Sequence, residues 1–268
     1  MAEFVTLERP REGVALITMS NPAIRNHGSW KGITELADAL QEARETGTRV
    51  SVLASGVPGH WFEHAWLVDL SNAFKGQPTT GDGACWGRCL QELNRTNVVS
   101  IAAVSGDCSG GGAELGWACD LRIAEEQALF GQPEVMIGCI TGIGGTSRVA
   151  RLIGRTATAE LVLDGTPFTA RRMYELGGVN RVVPNGTSVA VALEWADRLA
   201  SRPAAGLAAL KEVLTANDDL SLTDALKNEQ QSFGRVMRTP GSIEQMDATQ
   251  ARFDAGESIR EVYGLPRS

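Results

Sequence analysis

The chain has 268 residues, 43% hydrophobic and 21% charged, a balance that fits one large globular domain or two small ones. A formal net charge of −7 argues against nucleic acid as the main partner, so any anionic ligand must be met by local Arg and Lys. No uninterrupted apolar run reaches membrane-spanning length, the start Met-Ala-Glu-Phe-Val-Thr lacks the features of a secretory signal, and five cysteines form no secretory framework; a reduced, cytoplasmic protein without a membrane span is expected.

In chain order, Val5-Thr6-Leu7-Glu8 and Val14 to Met19 read as strands around a turn at Pro10 to Gly13. Trp30 to Arg44 has helical spacing, with Ile33, Leu36, Ala37 and Leu40 on one face. Val50 to Ala54 is a buried strand closed by Ser55-Gly56-Val57-Pro58-Gly59. The Gly, Pro and Thr content of residues 70–83 predicts a mobile wall. Ala84 to Asn94 reads as a helix. Its Cys85-x-x-x-Cys89 fits two residues one turn apart, and no second Cys/His pair completes a metal site, so no metal is expected. Val99 to Val104 is the next strand.

A run of glycines follows it: Ser109-Gly110-Gly111-Gly112-Ala113-Glu114-Leu115. Three consecutive glycines are accepted where backbone approaches something closely or turns sharply into a helix. A helix starting here aims unpaired N–H groups outward at the positive end of its dipole, a notch suited to a phosphate or a developing oxyanion. Glu114, just inside, would repel a phosphate but suits an enolate whose proton a carboxylate handles. Taken alone, the pattern also fits an ordinary strand–turn–helix with Glu in the first turn.

Farther on, Leu121 to Ala124 and Ala128 to Phe130 read as short strands, and Phe130-Gly131-Gln132-Pro133-Glu134-Val135 carries a second acid. Gly142-Ile143-Gly144-Gly145-Thr146 lacks the Lys of a nucleotide loop and reads as a turn into helix. Asp120 is expected to be a structural hydrogen-bonding residue. Helices follow at Thr146 to Leu152, Ala157 to Leu163 and Thr169 to Leu176, then a strand from Val179 to Val183. Beyond Ser188 only helix is predicted. The alternation of strands and helices implies an α/β fold with parallel sheet, and its end near residue 190 is the one plausible boundary.

The order and spacing of Gly-Gly-Gly-x-Glu-Leu, Cys119-Asp120-Leu121-Arg122-Ile123-Ala124, Phe-Gly-Gln-Pro-Glu-Val and Gly-x-Gly-Gly-Thr resemble the crotonase (enoyl-CoA hydratase/isomerase) superfamily. The resemblance covers nearly the whole chain and is strongest over residues 99–184. It implies a spiral of repeated ββα units over residues 1–190 and a C-terminal helical, trimerisation region over 191–268, in a homotrimer or homohexamer. It also implies an acyl-CoA substrate, with no cofactor beyond that thioester.

By the same resemblance, Glu114 and Glu134 are the acid/base pair that adds water across a 2,3 double bond. The backbone N–H groups of His64 and Gly111 form the oxyanion hole, and Arg25, Asn26, His27, Ala65, Trp66 and Gly110 contact CoA or substrate. The chain departs from the family pattern at His64, Ala65 and Trp66, where the family carries Ala-Gly-x, and at His27-Gly28, where it carries a small and an apolar residue. Those departures keep two alternatives open. One is another crotonase-fold reaction, an isomerisation or a C–C hydrolysis using His64. The other is a non-catalytic acyl-CoA binding protein.

Overall fold

The structure, a computed structural model, describes residues 2–264, which divide into two compact units, the first reaching Leu207 and the second starting at Ala208. In the first unit the strands are β1 (Val5–Arg11), β2 (Val14–Met19), β3 (Val50–Ser55), β4 (Gly59–His60), β5 (Val99–Val104), β6 (Gly106–Ser109), β7 (Leu121–Glu125), β8 (Leu129–Gly131), β9 (Phe168–Thr169) and β10 (Arg181–Val183). The helices are α1 (Trp30–Glu45), α2 (Leu67–Phe74), α3 (Cys85–Leu93), α4 (Gly110–Ala118), α5 (Ser147–Leu163), α6 (Ala170–Glu175) and α7 (Ser188–Ala200). The helix α8 (Ala204–Asn217) crosses the division.

Two sheets take these strands alternately. One has the order β1-β2-β3-β5-β7-β10, the other β4-β6-β8-β9. Each turn of chain places one strand in the larger sheet, the next in the smaller, and then a helix: β5-β6-α4 and β7-β8-α5 repeat the step that β3 and β4 begin. That is the spiral of ββα units, with parallel pairing from β2 through β10 in the larger sheet. The middle strands are buried on both faces, so they read as unbroken apolar runs. Along β5, Ile101 and Ala103 face a cluster that includes Ala192, Ala196 and Ala200 of α7, while Ala102 and Val104 join the larger core with α1, α3 and α4.

The small residues of α7 recur at every fourth position, so the helix packs closely on the sheet. Among the described residues only helix follows Ser188, and α7 covers one face of the larger sheet within the first compact unit, which reaches Leu207. The second unit holds the rest of α8 with α9 (Leu222–Val236), α10 (Ser242–Asp254) and α11 (Ile259–Tyr263). Inside it, Arg252 pairs with Glu257 and the Phe253 and Tyr263 rings meet edge to face at 5.8 Å.

Residues 70–83 are tied to the first unit at one point. They begin inside α2, and the buried Asp69 of that helix ties the following loop down. Its carboxylate accepts from the Thr80 N–H at 2.7 Å, the Thr80 hydroxyl at 2.6 Å and the Trp30 N–H at 2.8 Å. The composition is that of a free loop, but one carboxylate from outside the stretch supplies its anchor. Gly154, at φ +77, splits α5 into the two helical pieces read from the sequence. Asp120 has the structural role expected of it, accepting from the N–H and hydroxyl of Ser100.

Candidate active site

Each glycine of the triple-glycine run answers to a close neighbour. A Cβ on Gly112 would lie 1.8 Å from the Phe62 carbonyl oxygen. On Gly110, at φ +49, it would lie 2.9 Å from the His64 Cβ, and on Gly111 3.0 Å from the Trp86 ring and 3.5 Å from the Ala65 Cβ. The run is therefore the floor on which residues 62–65 rest, most tightly at Gly112, where no side chain larger than hydrogen fits beneath the Phe62 carbonyl. Ser109 fastens the contact from the other side: its N–H and hydroxyl both donate to the Glu63 carbonyl at 2.6 Å. Residues 28 and 64–66 run alongside each other, with the Gly28 N–H donating to the His64 carbonyl at 2.7 Å and the Trp66 N–H to the Gly28 carbonyl at 3.0 Å. His64 thus sits against the first turn of α4, whose leading N–H groups, Gly111 included, have no carbonyl one turn back to bond.

The two acids reach this turn from different elements. Glu114 is 3% exposed inside α4, and its Oε1 accepts the N–H groups of Ile143 at 2.8 Å and Gly145 at 2.7 Å. The glycine-rich stretch at 142–145, which reads as a mere turn into α5, is what orients this carboxylate. A Cβ on Gly145 would lie 2.5 Å from the Gln132 side-chain amide, so a larger residue would displace that amide. Glu134 opens a 3-10 turn, Glu134–Ile137, and its Oε1 comes within 3.4 Å of where a Cβ on Gly110 would be. The Gln132 amide, fully buried, accepts from the Trp117 indole N–H at 3.0 Å and donates to both Glu134 oxygens, at 2.9 and 3.2 Å. Burial pushes the Glu134 pKa up to about 6, and the nearby Glu114 charge adds to the rise.

Gln132 and Trp117 were visible in the motifs but not assigned a part. Trp86, in α3, lies outside those motifs. Its ring stands 2.7 Å from where a Cβ on Gly28 would be, so the Trp and the two glycines at 28 and 111 form one coupled exchange of volume. The missing signal was pairwise: a Gly where the family pattern has an apolar residue implies that something else fills the space.

The residues expected at the CoA cleft separate. Asn26 is buried at φ +59, and its side chain is spent on the fold: Oδ1 accepts the Asn21 N–H at 2.8 Å, and Nδ2 donates to the Met19 and Trp61 carbonyls and to the Ser55 hydroxyl. Every polar atom of that side chain is engaged inside the protein, which fixes the backbone of the turn that carries Arg25 and His27. Arg25 is exposed, with Nε 3.6 Å from Glu63 Oε2. His27 is half-buried, stacked on His64 at 4.1 Å between ring centroids, with Nε2 3.1 Å from Glu63 Oε2. Burial first, and then the neighbouring His64, lower the His27 pKa against the pull of Glu63. Ala65 and Trp66 lie beside Gly28, as the backbone bonds above require.

Comparison with known proteins gives this geometry a setting. The family model described as Enoyl-CoA hydratase/isomerase matches residues 9–253. A probable mitochondrial enoyl-CoA hydratase of Dictyostelium discoideum is 32% identical over 92% of this chain and 88% of its own length. The 2,3-dehydroadipyl-CoA hydratase of Escherichia coli is 32% identical over 92% of this chain and 95% of its own. Among solved structures, an enoyl-CoA hydratase from Bacillus anthracis superposes with a TM-score of 0.84 at 26% identity, covering 93% of this chain and 97% of that one. One from Thermoplasma volcanium gives 0.80 at 27% identity, covering 91% and 96%.

Proposed function

Because the chain belongs to the enoyl-CoA hydratase/isomerase family, we propose that its hydratase-like chemistry is carried by Glu114, Glu134 and the backbone N–H groups of His64 and Gly111. The observation that supports this reading is the convergence at Gly110. Glu134 and His64 flank the same α-carbon, while Glu114 is held from the loop beyond it.

The substrate is a trans-2-enoyl-CoA thioester. Its carbonyl oxygen receives the two N–H donors, where the enolate charge develops; one such donor is worth roughly 2.7–4 kcal/mol to a transition state. Glu114, one oxygen bound by two N–H groups, uses the other to take a proton from water as that water's oxygen bonds C3. Glu134, whose proton is retained up to a pH of about 6, gives it to Cα. Exchange between the carboxyls through solvent restores the starting state, and one water has been added. The atoms balance with the thioester and water alone, so coenzyme A enters as part of the substrate and no cofactor takes part. Arg25 and His27 border the CoA side of the cleft, and Trp86, with Ala65 and Trp66, limits the space left for the acyl chain.

A homotrimer or homohexamer is part of the same proposal, supported by exposed Leu210, Leu214, Leu222, Leu226 and Phe233 on the C-terminal helices. No helix among the described residues is long and apolar enough to cross a membrane. A reduced, cytoplasmic setting agrees with four buried free thiols, Cys85, Cys89, Cys108 and Cys119.

Loss of the 2,3-enoyl thioester absorbance, followed with crotonyl-CoA and a longer enoyl-CoA, tests the reading. Wild type should consume at least one of them, and Glu114→Gln and Glu134→Gln should each be slower by about 10²–10⁴-fold. Binding of every enoyl-CoA without turnover would replace hydration with a carrier role.

A further inference from the structure

Two of the chain's three histidines, His27 and His60, approach one carboxylate, that of Glu63, and the third, His64, stacks on His27. The Glu63 Oε2 lies 3.1 Å from His27 Nε2 and 3.3 Å from His60 Nδ1. A second carboxylate, Asp107, joins from the smaller sheet. One ligating atom each from His60, Glu63 and Asp107 all lie within 4.8 Å of one another, and each residue is half-buried.

The backbone fixes this grouping. His60 and Asp107 are direct partners in the parallel pair β4–β6, so their side chains leave adjacent strands at the same level. The Trp61 N–H donates to the Asp107 carbonyl at 2.9 Å, and Ser109 holds the Glu63 carbonyl twice. Two acids are thus kept together with one nearby guanidinium, Arg25, whose side chain is 64% exposed and free to swing off Glu63.

The His60 ring nitrogen decides how the cluster reads. It is buried and lies 3.3 Å from Glu63 Oε2, yet it makes no hydrogen bond among the described residues. An ion-pair network would align that nitrogen's proton with the acceptor. An imidazole nitrogen with no hydrogen bond, beside two carboxylates, is the donor set of a metal site. Bond lengths of about 2.0–2.2 Å to N and O place tetrahedral ligand atoms roughly 3.3 Å apart, which the His60–Glu63 pair already satisfies. Only the Asp107 side chain has to close in.

We propose that His60 Nδ1, Glu63 and Asp107 bind one divalent transition-metal ion of the zinc class, with water completing its shell. Mixed imidazole and carboxylate donors suit Zn²⁺ or Co²⁺ better than Mg²⁺ or Ca²⁺, which take oxygen ligands almost alone. His27 Nε2 lies 3.1 Å from the same Glu63 oxygen, leaving Oε1 to the ion, and fits an outer partner that orients a ligating carboxylate. The ion would clamp residues 60–63 to β6, immediately ahead of the glycine turn on which His64 rests. The site stands apart from the hydration reading, and binding is measured without turnover.

Chelator-stripped full-length protein is titrated with ZnCl₂ by calorimetry and with CoCl₂ by visible absorption. The expected result is one ion per chain at micromolar affinity or tighter, Co²⁺ d–d bands, and a zinc-dependent rise in Tm. His60→Ala and Asp107→Asn should each weaken binding by at least about tenfold, with metal-free Tm values near wild type showing that both fold. Cys139→Ser, which removes an exposed thiol, should change nothing. Absence of saturable binding overturns the site. So does binding that survives both Asp107→Asn and His60→Ala, which marks an adventitious ion only, or binding lost in Cys139→Ser.

Discussion

Glu134 shows at the scale of one residue how a site can hold a group at a cost to folding. Burial keeps its proton on to a pH of about 6, against an ordinary 4.5. Between those values the unfolded chain releases the proton while the folded chain retains it, so stability falls as pH rises through the window and is level above it. Glu134→Gln cannot ionise and avoids that loss. Its Tm advantage over wild type should grow from pH 4.5 to 6 and then stay constant. The half-exposed position limits the effect to about 1 kcal/mol or less, a rise of at most about 2–4 °C. A Tm advantage largest in acid would contradict the assignment. His64 poses a different question at the same scale. Its proposed part is a backbone N–H, which alanine keeps, so His64→Ala should retain kcat/KM for hydration to within about tenfold. A loss of about 10²–10⁴-fold, the size expected for an imidazole base, would move the chemistry to the side chain and favour C–C hydrolysis.

The start of α4 shows how an element imposes its own residue choice. Glycine is the poorest ordinary helix former, yet α4 opens with three, because residues 62–65 press on it. Gly112→Ala sets a Cβ against the Phe62 carbonyl, backbone against backbone, and neither can yield as a side chain would. Overpacking of this kind should cost about 1–3 kcal/mol or more, read from urea denaturation, with activity falling further as residues 62–65 shift. Gly87 in α3 is the control, since a Cβ there meets nothing within 4 Å. Gly87→Ala should stabilise by about 0.5–1 kcal/mol, so the same change has opposite signs in two neighbouring helices.

At the scale of the whole molecule, the first unit buries both faces of its larger sheet within itself, whereas the C-terminal helices leave Leu222, Leu226 and Phe233 exposed. Large apolar side chains gathered on one segment are the signature of an interface. Light scattering after size exclusion should give three or six times the chain mass. Leu226→Asp with Phe233→Asp should lower the assembly state by placing charge where burial is required. A wild-type monomer would remove the proposed trimer.

The sequence by itself determined the elements and the family. Strands buried on both faces are unbroken apolar runs, and helices carry their spacing locally, so β2, β3, β5, β7, α1 and α7 were legible without coordinates. The two acids were legible because each lies in a motif whose order and spacing are specific. The short strands β4 and β6 were not legible, being only two and four residues long and paired across distant chain. Contacts between such segments decided the rest: why three glycines stand together, what holds each carboxylate, why the Asn26 side chain is spent on the fold, and how His27 and Asp107, distant in sequence, meet residues 60–63. Those answers depend on which atoms lie within a few ångströms of one another. A pattern along one chain records the propensities of neighbours in sequence, whereas close packing and hydrogen-bond satisfaction act between neighbours in space.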